Sequence, residues 1–195
     1  MKVYKFGGAS VKDAKGVRNL LDIVTGESDL FIIVSAMGKT TNALEGVFEA
    51  MQQGNEALAL ERIDLSYAYH RGIIDDLMGA DITIEQVDLH FEQLRNTHYR
   101  ASDAELWYDT IVAFGELIST TIISNYLNGH GVANRWVDMR RAFLVGYDRS
   151  VPKLRQADHC VGCNECVSHC PQRIRIPREL QRIDKYVESL KQETL

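Results

Sequence analysis

Lys5-Phe6-Gly7-Gly8-Ala9-Ser10-Val11 is the stretch on which the fold turns. Residues 1–6 alternate, with Val3 and Phe6 apolar, which predicts a short strand that Gly7-Gly8-Ala9-Ser10 then breaks. Over 11–24 the apolar residues Val17, Leu20, Leu21 and Val24 recur at helical spacing. Outward from there, 29–36 holds the unbroken run Leu30-Phe31-Ile32-Ile33-Val34, bounded by turn residues, which predicts a strand buried on both faces. Thr41 or Asn42 can cap a helix through Ala43, Val47 and Met51. Helical patterns follow over 57–78, 84–96 and 104–127. Asn128-Gly129-His130-Gly131 stops the last of them, and 132–137 reads as a third strand. Strand, glycine loop, helix, strand, helices, strand is βαβ logic. The expected class is therefore α/β, an open and mainly parallel sheet with helices on both faces.

The composition agrees with a globular chain. Apolar residues make up 45% of its 195 residues and charged residues 25%. A net charge of −5 argues against a nucleic-acid-coating surface. The apolar run 30–34 is far short of a membrane span, and no apolar stretch follows Lys2 and Lys5 as a signal peptide would require. A cytoplasmic protein with no nucleic-acid or membrane partner is expected. The charge is uneven, however: residues 1–150 carry 14 Lys+Arg against 21 Asp+Glu, and 151–195 carry 8 against 6. All four cysteines also lie in that tail, so a boundary is expected there, with 1–141 as one part, 142–158 as a junction and 159–195 as another.

In open α/β sheets a ligand sits beyond the carboxyl ends of the strands, where both Gly7-Gly8 and 35–41 fall. Glycines let backbone N–H groups approach an anion, and Lys5 supplies a cation for phosphoryl oxygens. The same pair of glycines also serves as a plain tight turn between strand and helix. Gly38-Lys39-Thr40 is not a P-loop. The glycine needed five residues before the Gly-Lys pair is Ile33, inside a strand, and Lys39 reads as a solvated loop residue.

Cys160-x₂-Cys163-x₂-Cys166-x₃-Cys170-Pro171 is the bacterial ferredoxin run for a [4Fe–4S] cluster. Zinc sites call for two separated pairs of ligands, and a disulfide framework suits an oxidising compartment. His159 and His169 flank the thiolates as surface residues or as neighbours of the ligating cysteines rather than as ligands. In two-cluster ferredoxins the fourth cysteine of such a run serves the other cluster. Here Cys170 folds back to complete one cluster, or an iron stays open, or a second chain supplies a ligand. After the run, Ile174 and Ile176 alternate with Arg173 and Arg175 as a short strand. Pro177 then opens a helix with Leu180, Ile183, Val187 and Leu190 on its apolar face.

Three segments taken in order, 5–11, Val34-Ser35-Ala36-Met37-Gly38-Lys39-Thr40-Thr41-Asn42 and Phe114-Gly115-Glu116-Leu117-Ile118-Ser119, resemble the N-terminal half of an aspartate kinase of the amino-acid kinase family. The likeness runs to about Arg141 and includes Trp136-Val137-Asp138. It implies a truncated amino-acid kinase fold in which Lys5, Gly7, Gly8 and Ser35 hold ATP phosphates, Lys5 being the catalytic residue among them. Thr41 and Glu116 would grip aspartate, Glu116 taking its ammonium group. Read without the resemblance, Glu116 is a polar residue near a helix start, and Ser35 and Thr41 end a strand and cap a helix. The implied reaction moves the ATP γ-phosphoryl group to the β-carboxylate of L-aspartate, giving 4-phospho-L-aspartate, with Mg²⁺ bridging phosphates. Ala9 stands where the family usually has threonine, and nothing after Arg141 resembles the family's continuation.

From about Phe143 onward, Tyr147-Asp148-Arg149, Val151-Pro152-Lys153-Leu154-Arg155-Gln156, the cysteine run and Ile174-Arg175-Ile176-Pro177 resemble the C-terminal ferredoxin-like extension of iron–sulfur aldo/keto reductases. That likeness implies a small ferredoxin-like segment appended to the kinase-like one, with a redox partner or a second chain that completes the cluster or the sheet. Two further readings stand beside the phosphotransferase. One is an electron-transfer module on a non-catalytic kinase-like scaffold. The other is a fusion of two fragments with no function as a unit.

Overall fold

The computed structural model describes residues 2–97, 104–140, 156–168 and 175–192. The chain divides into two compact units, Met1–Trp136 and Val137–Leu195.

In the first unit, strand β1 (Lys2–Phe6) pairs in parallel with β2 (Leu30–Val34), Lys2 opposite Leu30 and Phe6 opposite Val34. A 3₁₀ turn (Gly8–Val11) and helix α1 (Ala14–Val24) connect them, so the expected βαβ crossover is present. The helix starts later than the apolar pattern suggested, because Asp13 takes the cap position and its carboxylate accepts the Gly16 N–H at 2.8 Å. Four helices follow: α2 (Thr40–Gln52), α3 (Glu56–Met78), α4 (Glu85–Arg95) and α5 (Ala104–Gly129). Asn55 caps α3 through the Leu58 N–H at 3.1 Å.

The core lies among the helices. Val17, Leu20, Leu44, Val47, Ile63, Phe91, Leu94, Ile111, Ile118 and Ile122 are fully buried. The α5 segment Leu106–Gly129 is long and apolar enough to match a membrane span, and 67% of that window is buried within the protein, as a central core helix is.

Two expectations are corrected here. The sheet is not covered on both faces: Phe6, Leu30 and Ile32 pack on the helical core, but Val3 is 55% and Ile33 45% exposed. In a strand alternate side chains point to opposite faces, and the described helices cover only one of them. Nor do residues 132–137 form a strand; among the described residues the sheet has two strands. Asn134 and Trp136 lie back along α5 because their polar groups bond there. Ser124 donates to Asn134 Oδ1 at 2.7 Å, the Asn134 N–H donates to Asn128 Oδ1 at 2.9 Å, and Trp136 Nε1 donates to Thr120 Oγ1 at 2.9 Å.

In the second unit, a 3₁₀ turn (Ala157–His159) and a short helix α6 (Glu165–Ser168) pack on α7 (Ile176–Gln192). Pro177 is buried in the first turn of α7, where its missing N–H costs nothing, and Val187 is buried further along. Ile183, expected on the buried face, is 36% exposed. Ile176 belongs to this helix and not to a strand, while Ile174 lies outside the described residues.

Candidate functional site

The carboxyl ends of β1 and β2 meet in a tight joint. The Ser35 N–H donates to Phe6 O at 3.0 Å, and the Gly38 N–H donates to Gly8 O at 3.0 Å. The loop after β1 and the loop after β2 are thus stitched side by side, with the backbone of Gly8 pressed on Ala36. A Cβ at Gly8 would overlap the Ala36 carbonyl oxygen, so only glycine fits. Gly7 is different: a Cβ there would find only Lys5 Nζ, at 3.6 Å. The Lys5 ammonium group therefore stands over the glycine turn.

Helix α5 approaches the joint from below. Gly115 makes this possible, since a Cβ there would come within 2.8 Å of Ala36 Cβ. The Glu116 carboxylate accepts the Ala36 N–H at 3.2 Å, and Ser119 Oγ donates to Ser35 O at 3.2 Å. Four of the residues singled out in the sequence (Gly7, Gly8, Ser35 and Glu116), with Lys5 above them, thus gather at one rim. Thr41 is exposed in the first turn of α2. It does not cap that helix, and neither does Asn42: the cap position is Lys39, with no side-chain bond.

The sequence reading missed Thr40 and His70. Thr40 is 3% exposed, and its hydroxyl donates to Met37 O at 2.6 Å. His70, fully buried in α3, places Nε2 3.3 Å from that hydroxyl and Nδ1 2.7 Å from Ser66 O. Burial holds the His70 imidazole below its ordinary 6.5, with the Ser66 carbonyl opposing the shift. A lone histidine at helical spacing carries no signal of a contact thirty residues back in the chain.

In the second unit Cys160 and Cys166 are half-buried and Cys163 is exposed, none of the three in a disulfide among the described residues; Cys170 lies outside the described residues. Gly162 (φ +70°) and Asn164 (φ +62°) bend the loop sharply between them. Among the described residues no three ligating side chains come together as a metal site. The donor set suits an iron–sulfur cluster in kind, being all thiolate on one short loop.

A glycine turn, a lysine and a carboxylate thus stand at one end of the parallel sheet. Residues 1–159 match the model of the amino acid kinase family, and the chain belongs to that family. The match reaches past Arg141. Aspartokinase 1 of Arabidopsis thaliana is 33% identical over 150 residues, covering 74% of this chain and 26% of that protein. The lysine-sensitive aspartokinase 3 of Escherichia coli is 27% identical over 157 residues, 78% of this chain and 34% of that one. The chain thus spans about a third or less of these relatives. The crystal structure of E. coli aspartokinase III with aspartate and ADP superposes with a TM-score of 0.59 at 24% identity, over 72% of this chain and 31% of that chain. It shares the fold, here mostly helical with a small parallel sheet.

Proposed function

We propose that the first unit binds ATP phosphates and L-aspartate for phosphoryl transfer. The observation that carries this reading is the Glu116 carboxylate on the Ala36 N–H, at the rim where Lys5 stands over Gly7. Backbone amides and an ammonium group suit phosphate, and a carboxylate suits the α-ammonium of an amino acid. Lys5, Gly7, Gly8 and Ser35 hold the phosphates; Thr41 and Glu116 hold aspartate. A β-carboxylate oxygen of aspartate attacks the γ-phosphorus, the bond from that phosphorus to the β,γ-bridging oxygen breaks, and ADP leaves with the electron pair. Mg²⁺, when bound, neutralises charge across the phosphates. Such chemistry rests on positioning and charge, so the site needs no nucleophilic side chain. The relatives' names and the aspartate and ADP in the E. coli structure support this reading.

Calorimetric titration with Mg–ADP tests it. Binding should be saturable, and Lys5→Ala should weaken it by about tenfold, the loss expected of one charge-assisted contact. Nucleotide binding that ignores Lys5 would sink the assignment.

For the second unit the reading assigns a [4Fe–4S] cluster to Cys160, Cys163, Cys166 and Cys170, on the spacing and chemistry of the donors. When bound, such a cluster supplies one-electron transfer. Anaerobic reconstitution with iron and sulfide should yield about four irons per native chain. Cys163→Ser should lower that yield. Equal iron uptake by the serine variant would reject the ligand set.

A further inference from the structure

Thr40 stands where the loop after β2, helix α3 and helix α5 meet. Both residues assigned to aspartate are next to that joint. Thr41 follows Thr40 in the chain, and Glu116 follows Gly115. The missing side chain of Gly115 lets Thr40 in: a Cβ there would come within 3.4 Å of Thr40 Cγ2 and 2.8 Å of Ala36 Cβ. Thr40 itself is 3% exposed, so its side chain is closed off from solvent, whereas Thr41 is exposed.

The hold on Thr40 is polar and buried. Its N–H donates to Met37 O at 3.0 Å, and its hydroxyl lies 2.6 Å from the same oxygen and 3.3 Å from His70 Nε2. His70 is fixed in turn. Its Nδ1 lies 2.7 Å from Ser66 O, a carbonyl of its own helix. Its ring meets Tyr69 edge-on, with 4.9 Å between centroids, and tilts against the fully buried Phe91 at 5.8 Å. The imidazole is thus referenced to the rigid body of α3. Helix α2 has no cap of its own to set its first turn, since Lys39 occupies the cap position without a side-chain bond. The place of that turn is therefore taken from Thr40.

We infer that His70 and Thr40 are positioning residues for the amino-acid end of the site: through them α3 sets where Thr41 stands relative to Glu116. The inference rests on the reading of Thr41 and Glu116 as the holders of aspartate. The phosphate end is fixed by other bonds. The Ser35 N–H donates to Phe6 O, and Ser35 O accepts from Ser119 Oγ. Loss of the Thr40 hydroxyl therefore frees the first turn of α2 and leaves Ser35 in place. A displacement of about 1 Å is enough to spoil a substrate contact.

Calorimetry on the whole chain tests this, with L-aspartate and Mg–ADP as separate titrants. Thr40→Val keeps the shape of the side chain and removes only the hydroxyl. It should weaken aspartate binding by about fivefold, the equivalent of one neutral hydrogen bond, and leave Mg–ADP affinity unchanged. His70→Phe, which keeps a ring but no nitrogen, should do the same. Thr40→Ser restores the hydroxyl and should bind aspartate as the native chain does. Val47→Ala serves as a control for plain loss of stability, because Val47 is fully buried in the middle of α2. It should lower the thermal midpoint and leave aspartate affinity unchanged. Equal weakening of both ligands in Thr40→Val would overturn the inference, as would the same aspartate loss in Val47→Ala. So would full aspartate affinity in Thr40→Val, with the assignment of Thr41 and Glu116 left standing. If the native chain took up no aspartate, that assignment would fall and this inference with it.

Discussion

Nε2 of His70 lies 3.3 Å from the hydroxyl of Thr40, and that hydroxyl donates to the carbonyl of Met37 at 2.6 Å. Through this buried chain, helix α3 fixes where α2 begins and how the loop after β2 is folded. Ser66 O can only accept, so the Nδ1–H of His70 donates to it, and burial favours the neutral ring. The single proton of the Thr40 hydroxyl is then shared between Met37 O and the bare Nε2.

A buried neutral histidine makes stability depend on pH. The folded imidazole titrates below 6.5 because burial disfavours its charged form. As pH falls below 6.5 the unfolded chain takes up the proton first, so the stabilisation from this group is complete above that value and is lost as pH drops toward the folded pKa. Urea unfolding at pH 7.5 and 5.5 should show the native chain weaker at the lower pH. His70→Phe should show a smaller difference between the two. An identical pH dependence in the variant would remove His70 as the cause.

The two glycines after β1 should respond differently to alanine. At Gly8 a Cβ would overlap the backbone of Ala36, which cannot swing aside as a side chain does. Gly8→Ala should cost about 2 kcal/mol, as overpacking does. At Gly7 the neighbour is the far end of the Lys5 side chain, which moves cheaply. Gly7→Ala should unfold within about 0.5 kcal/mol of the native chain. Denaturant midpoints compare them directly, and equal losses would contradict the close approach at Gly8.

Glu116→Gln separates fold from recognition. An amide oxygen still accepts the Ala36 N–H, so the joint between α5 and β2 should persist. The negative charge for an ammonium group is gone. Aspartate affinity should fall by about tenfold or more with little change in thermal midpoint. Calorimetry against L-aspartate measures the first, and a thermal scan the second. Unchanged affinity would move aspartate away from Glu116.

Removing the cap of α1 should be felt locally. Asp13 accepts the Gly16 N–H, and Asp13→Ala leaves that donor without its acceptor. The expected loss is about 1 kcal/mol. Hydrogen exchange should quicken at the first turn of α1 and stay slow in α5. Faster exchange throughout would indicate a role for Asp13 beyond the cap.

The elements that the sequence made legible are those whose signal is local. The Lys5–Val11 stretch announces a strand, a turn and a helix because alternation gives way to glycine and then to a 3.6-residue period. The long helices α3 and α5 follow from the same periodicity. Residues 132–137 looked like a strand by composition, but Asn134 and Trp136 bond to side chains of α5, and that competition cannot be seen locally. Likewise the apolar run of β2 suggested two buried faces, whereas burial depends on what lies opposite each face.

By itself, then, the sequence determined the order of elements from β1 to α5, the crossover that brings Gly7-Gly8 and Ser35 to one edge, and the residue types that suit phosphate and an amine. These depend on period, turn chemistry and charge, all of which are carried by neighbours in the chain. Only the tertiary structure decided that Glu116 reaches the Ala36 amide and that Thr40 and not Thr41 is locked by His70. Each of these joins residues far apart in sequence, and their meeting is set by how helices pack around small residues such as Gly115 and Gly46, where a missing side chain lets one element come close to the next.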